Sequence, residues 1–366
     1  MYDYTIGRHS IRDCGYFGVL AVGVGSRGEN DLRYLANPAI RCCCFARRDS
    51  TRVSLVLIIR RVPTMNVLII KLGATGDVVR TTPLLRRLSG SVTWITAAKN
   101  SVFLGSLADN LRHVSWEARA AALHTNYDLA INLEDTVDVA QFLQTVHYGE
   151  IFGGYVDSNN LVKYTDNSRA WFDLSLISAY GKQRADEFKF QNRQTYQELI
   201  FDGLGLHFTG EPYLLPKSIE TSLSGDVAIA ADAGPIWPMK KWSYYDELKE
   251  RLEGHGLTVN VLPQRASLLE HLSDVQNHRC LVGGDSLPMH LALGSGVRCV
   301  SLFTCTSPWE IYDYGVLRKV ISPLLEEFFY KRGYDERATT AISVDEVFDA
   351  VMAQLEGAVP KDAIVK

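Results

Sequence analysis

The sequence predicts an α/β fold built from two Rossmann-like parallel-sheet domains that face a cleft. From Met65 onward, short apolar runs alternate with stretches of helical periodicity, which is the pattern of a parallel sheet flanked by helices. The apolar runs carry hydrophobic side chains toward both faces, as buried parallel strands require. The alternation breaks once, at about residues 157–220, and then resumes. Two such domains therefore follow one another along the chain.

The first domain, predicted over residues 65–215, opens with a strand, a turn and a helix in "NVLIIKLGATGDVVRTTPLLRRL", where Pro83 predicts a local irregularity. Three strand and helix pairs follow, in "SVTWITAA" with "VFLGSLA", "LRHVSW" with "EARAAAL", and "YDLAINLE" with "TVDVAQFLQTV". A last strand is predicted in "GEIFGGYV". The stretch that breaks the alternation contains one long helical pattern, "RQTYQELIFDGLGL", and is interpreted as the connection between the domains.

The second domain, predicted over residues 216–345, repeats the alternation. Its strands are predicted in "DVAIAADA", "LTVNVLP", "RCLVGGD" and "VRCVSLF", and its helices in "SYYDELKERLEGHG", "SLLEHLSDV" and "PMHLALGSG". Residues 346–366 form a predicted C-terminal helix and tail. The segment "SVDEVFDAVMAQLEG" places apolar residues at helical spacing, so one face of this helix is expected to pack back on the body.

Residues 1–64 differ from the rest of the chain. They contain ten Arg, no Lys and five acidic residues, a segment charge of +5, which leaves −9 for the remainder. We expect an atypical Arg- and Cys-rich extension that is poorly ordered or non-native, with Met65 as a candidate start of the native protein. "GVGSRG" from Gly23 to Gly28 matches a dinucleotide-binding pattern by letter, but the strand and helix context that such a site needs is weak.

Composition excludes several classes of protein. The net charge of −4 argues against a general nucleic-acid binder, which needs clustered Lys and Arg in excess of acids. Apolar runs stay well below the roughly 18 residues of a membrane helix, and the start of the chain lacks a secretory signal pattern. The seven Cys follow no disulfide framework, which favours reduced thiols. We therefore expect a cytoplasmic protein.

Ligands of open parallel sheets bind at the carboxyl ends of the strands, which directs attention to four loops. The first is "GATGD", whose glycines allow close backbone approach and whose helix start offers free N–H groups. Its Asp77 has two readings. Asp is a favoured helix cap, and a carboxylate facing a cleft is also a candidate general base.

The other three loops belong to the second domain. In "PIWPMKKW", Lys240 and Lys241 precede a helix, where they are solvated or bind a diphosphate, and Trp242 is expected to hold the loop. In "GGDSLPMHLALGSG", Asp285 and Ser286 occupy the cap region and His290 lies one turn into the helix. The last loop, "FTCTSPWEIYDYG", supplies hydroxyl groups from Thr304, Thr306 and Ser307. Either reading, structural or ligand-binding, remains open for these residues on local grounds.

The sequence contains no H-E-x-x-H or C-x-x-C pattern and no G-x-S-x-G nucleophile elbow. We therefore expect no metal site. A carboxylate on one domain opposite a cation and helix starts on the other suits group transfer from a nucleotide diphosphate.

Taken together and in this order, "MNVLIIKLGATGDVVRTTPLLRRL", "MKKW" and "DSLPMHLALGSGVRCVSLFTCTSP" resemble glycosyltransferase family 9, the ADP-heptose:lipopolysaccharide heptosyltransferases. The resemblance covers most of residues 65–356. It implies a GT-B architecture and a metal-independent, inverting transfer without a cofactor. The implied donor is a nucleotide-diphosphate sugar, and the implied acceptor is a glycan or glycolipid that brings the protein into peripheral contact with the inner membrane surface.

The resemblance also assigns residue roles. It implies that Asp77 is the catalytic base, with Gly73, Gly76 and Arg80 on the acceptor side. On the donor side it implies the residues Lys240, Lys241, Trp242, Asp285, Ser286, His290 and Thr306. Two departures stand out: Leu287 occupies a position where the family usually has Gly, and Thr304–Cys305 replaces a common Gly-Pro. A candidate surface for an anionic acceptor is formed by Arg80, Arg86, Arg87 and Lys99.

Two other classes remain as alternatives. One is a GT-B-fold sugar-nucleotide epimerase or an NAD(P)-dependent enzyme that uses "GVGSRG". The other is a non-catalytic relative that binds a sugar nucleotide, for which Leu287 is the supporting feature.

Overall fold

The computed structural model describes residues 19–23, 40–49, 52–61, 64–105 and 107–357, with side chains for the last two ranges. The chain divides into two compact units, Met1–Met65 and Asn66–Lys366. In the first unit, three antiparallel strands pair in the order β1-β3-β2: β1 Val19–Gly23, β2 Ile40–Asp49 and β3 Arg52–Arg61. Strands β2 and β3 are not among the predicted elements. Of "GVGSRG", only Gly23 lies within the described residues, at the end of β1.

The second unit begins with a six-stranded sheet in the order β6-β5-β4-β7-β8-β9. The strands are β4 Met65–Ile70, β5 Gly90–Thr96, β6 Leu111–Ser115, β7 Tyr127–Asn132, β8 Tyr148–Val156 and β9 Val162–Tyr164. Strand β7 pairs parallel with both β4 and β8, and β5 pairs parallel with β6. The short edge strand β9 is antiparallel to β8 and was absent from the predicted elements.

The helices of this part are α1 Thr75–Thr81, α2 Ser101–Leu104, α3 Val137–Leu143, α4 Arg169–Phe172, α5 Lys182–Gln191 and α6 Tyr196–Gly203. Helix α1 continues as a 3-10 helix over Thr82–Arg86, with Pro83 in its first turn, which confirms the predicted irregularity. The predicted helix "EARAAAL" is instead a 3-10 helix, Trp116–Ala122. Helix α6 starts at a capping box formed by Thr195 and Glu198, which fixes where it begins.

The second domain has a five-stranded sheet in the order β11-β10-β12-β13-β14, with every pair parallel. Its strands are β10 Gly225–Ala230, β11 Val259–Val261, β12 His278–Gly284, β13 Arg298–Phe303 and β14 Leu317–Ile321. Its helices are α7 Tyr245–Gly254, α8 Leu268–Gln276, α9 Leu287–Ser295, α10 Leu325–Phe328, α11 Glu336–Thr340 and α12 Val344–Glu356. The prediction of two parallel-sheet α/β domains is confirmed.

Both sheets reverse their strand order at one point. The reversal lies between β4 and β7 in the first sheet and between β10 and β12 in the second. Connections on either side of such a reversal leave the sheet in opposite directions, which opens a crevice at the carboxyl ends of the strands. The loops after β4, β7, β10 and β12 are therefore the places where the fold itself prepares a ligand site.

The two domains share an apolar contact. Val79 of α1 and Phe103 of α2 belong to the same buried cluster as Met289 of α9 and Leu272 of α8. Helix α12 buries Val347 and Val351 against the second sheet, which confirms the expectation that its apolar face packs on the body. The contact through α1 and α9 brings the loops after β4 and β12 close to each other.

Candidate active site

The turn after β4 places Asp77 in the first turn of α1, whose cap position is Ala74. Asp77 is therefore not the helix cap, and its backbone N–H donates to the Ala74 carbonyl at 2.9 Å. A Cβ at Gly73 would lie 2.9 Å from Lys71 Nζ, so a larger residue at this position would displace the end of the Lys71 side chain. The carboxylate of Asp77 is one-third exposed and faces the cleft.

Asp77 is held by two cations. Its Oδ1 lies 2.9 Å from Arg80 Nη2, and its Oδ2 lies 3.8 Å from Lys71 Nζ. Lys71 in turn pairs with Glu134 at 3.0 Å, and Glu134 also accepts the Leu72 N–H at 2.8 Å. Burial acts to raise the pKa of Asp77, but the charges of Arg80 and Lys71 outweigh it and hold this pKa below its usual value. Asp77 is therefore an ionised carboxylate in a fixed orientation at neutral pH.

Arg80 is itself fixed. Its guanidinium lies 4.1 Å from the centroid of the Tyr196 ring, and its Nη1 is 4.0 Å from Glu310 Oε2 of the second domain. The Gln197 side chain donates to the Arg80 carbonyl at 2.8 Å. Arg80 thus lies on the first-domain side of the cleft, and its charge is paired with Asp77 rather than free to bind an anion.

Gly76 lies against helix α9 of the second domain. A Cβ at Gly76 would lie 2.9 Å from His290 Cδ2 and 3.7 Å from the Cα of Leu287, both on α9. His290 is buried, and its Nδ1 lies 3.4 Å from the Tyr213 hydroxyl. Burial first, and then the charge of Arg80, lower the pKa of His290 to about 4, so its imidazole is neutral at pH 7.

The second domain contributes Lys240 and Asp285. Lys240 Nζ donates to the Asp285 carbonyl at 2.7 Å and to its Oδ2 at 3.1 Å. Burial acts to raise the pKa of Asp285, but Lys240, with His290 and Arg80, brings it down to about 2. Asp285 is therefore paired with Lys240 rather than capping α9. The cap position of α9 is Ser286, and Pro288 lies in its first turn as predicted.

These groups surround one cleft of about 590 Å³. The first domain lines it with Gly76, Asp77, Arg80, Lys99 and Trp171, and the second with Lys240, Asp285, Ser286, His290, Thr306 and Glu310, among others. A carboxylate from one domain thus faces a cation and the start of a nine-residue helix from the other. The free N–H groups at that helix start are suited to a phosphate group.

Several predicted residues lie elsewhere in the described part of the chain. Lys241 is exposed and outside the cleft lining, and Trp242 is buried in the core of the second domain, where its indole N–H donates to the Ile342 carbonyl at 2.9 Å. Trp242 therefore supports the Lys240 loop from beneath. Arg86 and Arg87 donate to the carbonyls of Pro212 and His207 in the interdomain connection, so they fasten this connection to the first domain and do not line the cleft.

Sequence reasoning missed four residues around the cleft. Lys71 and Glu134 orient the loop of Asp77, and Glu310 and Tyr330 line the opposite wall. Lys71 directly precedes the Gly-punctuated turn at the end of an apolar strand, which was an available signal. Glu134 also follows a buried strand directly, so the rule that ligands bind at the carboxyl ends of strands points to it as well.

Two other features, a metal site and a membrane-spanning helix, are absent from the described residues. No group of three or more His, Cys, Asp or Glu side chains there has the arrangement of a metal site. None of the helices among those residues has both the length and the apolarity needed to cross a bilayer.

The fold resembles known structures, whereas no family model and no curated protein matches the sequence. A glycosyl transferase family 9 structure from Veillonella parvula aligns over 80% of this chain and 98% of its own, at 15% identity and a TM-score of 0.55. E. coli heptosyltransferase WaaC aligns over 79% of this chain and 99% of its own in the structure with ADP-2-deoxy-2-fluoro heptose, at 15% identity and a TM-score of 0.52. Its structure with ADP aligns over 80% of this chain and 98% of its own, with 15% identity and a TM-score of 0.51. The GT-B fold expected from the sequence resemblance is thereby confirmed.

Proposed function

We propose that this protein is an inverting glycosyltransferase that moves a sugar, heptose from ADP-heptose, onto a lipopolysaccharide core or a related glycan. The observation that carries the proposal is that an ionised Asp77 of one domain lines the same cleft as Lys240, Asp285 and the start of α9 of the other domain. The shared fold with family 9 structures, one of them in complex with ADP-2-deoxy-2-fluoro heptose, supports the choice of donor.

In this proposal Asp77 is the general base. The acceptor oxygen forms a bond to the anomeric carbon while the bond between that carbon and the diphosphate oxygen breaks. The proton of the acceptor hydroxyl passes to the Asp77 carboxylate, and the electron pair of the broken bond leaves with the nucleoside diphosphate. Because the acceptor attacks from the face opposite the leaving group, the anomeric configuration inverts. The cations beside Asp77 fix its position and keep it ionised, so its carboxylate is unprotonated when the acceptor binds.

The second domain binds the donor. Lys240 and the N–H groups at the start of α9 stabilise the negative charge that develops on the departing diphosphate. Asp285 holds sugar hydroxyls, Ser286 lies near the phosphates, and Thr306 contributes a hydroxyl group to donor binding. His290 lines the same site as a neutral imidazole. Lys241 and Trp242 act through the loop that carries Lys240. No metal ion or cofactor takes part in this scheme.

The acceptor side is formed by Gly73, Gly76 and Arg80 of the first domain. Lys99 is exposed at the edge of the cleft and offers a positive charge to an anionic glycolipid. We propose that the protein acts in the cytoplasm and contacts the inner membrane surface peripherally, where such an acceptor is presented. An ionised carboxylate in the cleft favours turnover over mere sugar-nucleotide binding.

The experiment is a donor screen. Purified protein is incubated with ADP-, UDP- and GDP-sugars and a lipopolysaccharide-core acceptor, and nucleotide release is measured with and without EDTA. We expect release of ADP from ADP-heptose that depends on the acceptor and is unchanged by EDTA. Release from no nucleotide sugar, together with binding of NADH, would overturn the proposal in favour of an NAD(P)-dependent enzyme.

A further inference from the structure

The described residues include eight buried side-chain atoms without a hydrogen-bond partner among them, and four of these belong to residues that line the cleft. They are Arg80 Nε, Thr306 Oγ1, Ser307 Oγ and Glu310 Oε1. Three of them come from one five-residue stretch after β13. Buried polar atoms are normally paired, because leaving one unpaired costs free energy. Their concentration at one wall of the cleft indicates a surface built for a polar ligand.

The three side chains are buried and fixed. Thr306 and Ser307 are each 2% exposed, and Glu310 is 4% exposed. The Glu310 carbonyl accepts the Tyr196 N–H at 3.0 Å, which ties this stretch to α6 of the first domain. A carboxylate accepts hydrogen bonds, whereas each hydroxyl both donates and accepts. This set matches neighbouring hydroxyl groups of a sugar, which also donate and accept.

Tyr330 provides a second, independent observation. Its φ of 48° lies in the left-handed region, which is uncommon for a residue with a Cβ. Its N–H donates to the Cys305 carbonyl at 2.8 Å, so it is anchored beside Thr306. Its ring contacts Trp237 edge to face at 5.4 Å, and both residues line the cleft. The strained backbone thus brings an aromatic side chain to the wall that carries the unpaired polar atoms.

We propose that Ser307 and Glu310, together with Thr306, form a subsite that binds the hydroxyl groups of a sugar ring, with Tyr330 and Trp237 as its apolar wall. This inference rests on the proposed function and deepens it, because it names residues that select the sugar rather than the nucleotide. The ring belongs either to the donor or to the acceptor, since both carry the same chemistry and Glu310 lies 4.0 Å from Arg80 at the junction of the two sides.

The test uses Ser307→Ala and Glu310→Gln, with Ser301→Ala as the matched control. Ser301 also carries a buried hydroxyl without a partner among the described residues, but it lies within β13 and outside the cleft lining. Binding of ADP and of ADP-heptose is measured by calorimetry, and the KM for the acceptor is measured in turnover. Because each Ser hydroxyl is unpaired, both Ser→Ala variants should leave the Tm unchanged or raise it by about 2 °C.

If the donor ring occupies the subsite, Ser307→Ala and Glu310→Gln weaken ADP-heptose binding about 10-fold and leave ADP binding within about twofold. If the acceptor ring occupies it, ADP-heptose binding is unchanged and the KM for the acceptor rises about 10-fold. Ser301→Ala changes neither. The subsite is refuted if both folded variants bind donor and acceptor as the wild type does.

Failure of the proposed function has a different signature. In that case the wild type binds no nucleotide sugar, and saturation-transfer NMR with free heptose and free mannose becomes the readout. Transfer to the sugar in wild type and Ser301→Ala, but not in Glu310→Gln, supports the subsite without the proposed activity. The absence of transfer in the wild type overturns the subsite.

Discussion

Replacing Lys240 with Met should reveal how strongly the second-domain wall of the cleft depends on one ion pair. Lys240 Nζ lies 3.1 Å from Asp285 Oδ2, and both side chains are less than one-fifth exposed. The pKa of Asp285, lowered from 3.8 to about 2, corresponds to about 2.5 kcal/mol of net stabilisation of its ionised form. Lys240→Met removes the largest charge behind this shift and leaves a buried carboxylate without its cation, so we expect a loss of about 2 kcal/mol at pH 7.

The assay is a double-mutant cycle with Asp285→Asn, followed by urea unfolding. In the Asp285→Asn background the buried negative charge is gone, so Lys240→Met should cost at least about 1 kcal/mol less than in the wild type. The depressed pKa means that the stabilisation is present above about pH 4 and is lost as the pH falls toward 2. The cost of Lys240→Met should shrink over the same interval. Equal costs in both backgrounds, within about 0.5 kcal/mol, would show that Lys240 does not stabilise the Asp285 carboxylate.

Two further substitutions probe the interface and the base. Gly76→Ala should lower the free energy of unfolding by about 1–3 kcal/mol in urea unfolding, because its Cβ would lie 2.9 Å from His290. Gly254→Ala, with open space around it, should raise the free energy of unfolding by up to about 1 kcal/mol. A change of the same sign in both variants would contradict the close approach at Gly76. Arg80→Met should move the acid limb of the pH profile of kcat/KM to higher pH, because Arg80 is the largest charge lowering the pKa of Asp77. If kcat/KM fell by the same factor at every pH, Arg80 would not act by lowering the pKa of Asp77.

Much of the fold could be predicted from the sequence, because the long apolar runs form strands and the segments of strong helical periodicity form helices. Strand β4 and helices α9 and α12 lie where their patterns predict them. The ten-residue strands β2 and β3 were missed because the Arg- and Cys-rich composition of residues 1–64 favoured a poorly ordered segment. Two of the elements missed after Met65 are short or weakly patterned. Helix α5 has one fully buried residue, Ala185, and edge strand β9 has three residues, so neither carries the burial periodicity on which the prediction depends.

The candidate site was predicted in part for the same reason. Asp77, Lys240 and Asp285 follow strands at the carboxyl edge of each sheet, so the fold rule pointed to their loops. Local rules left the role of Asp77 open between cap and base, and the structure excludes the cap. The pairing of Lys71 with Glu134, which are far apart in sequence, depends on β4 lying beside β7 in the first sheet. The meeting of Arg80 with Glu310 depends on how the two domains pack. Such contacts are set by tertiary structure and leave no periodic signal in the chain.

In the proposed mechanism, Asp77 acts as the base toward a donor bound by the other domain. Asp77→Asn preserves the shape of the side chain and removes its charge. Asp138→Asn is the matched control, because Asp138 lies in the first turn of α3 in the same domain but is exposed outside the cleft lining. The measurement is kcat for acceptor-dependent ADP release together with the Kd of ADP-heptose. We expect Asp77→Asn to lower kcat by about 100-fold or more with Kd within about threefold, and Asp138→Asn to change neither. An unchanged kcat in Asp77→Asn would show that Asp77 is not the general base.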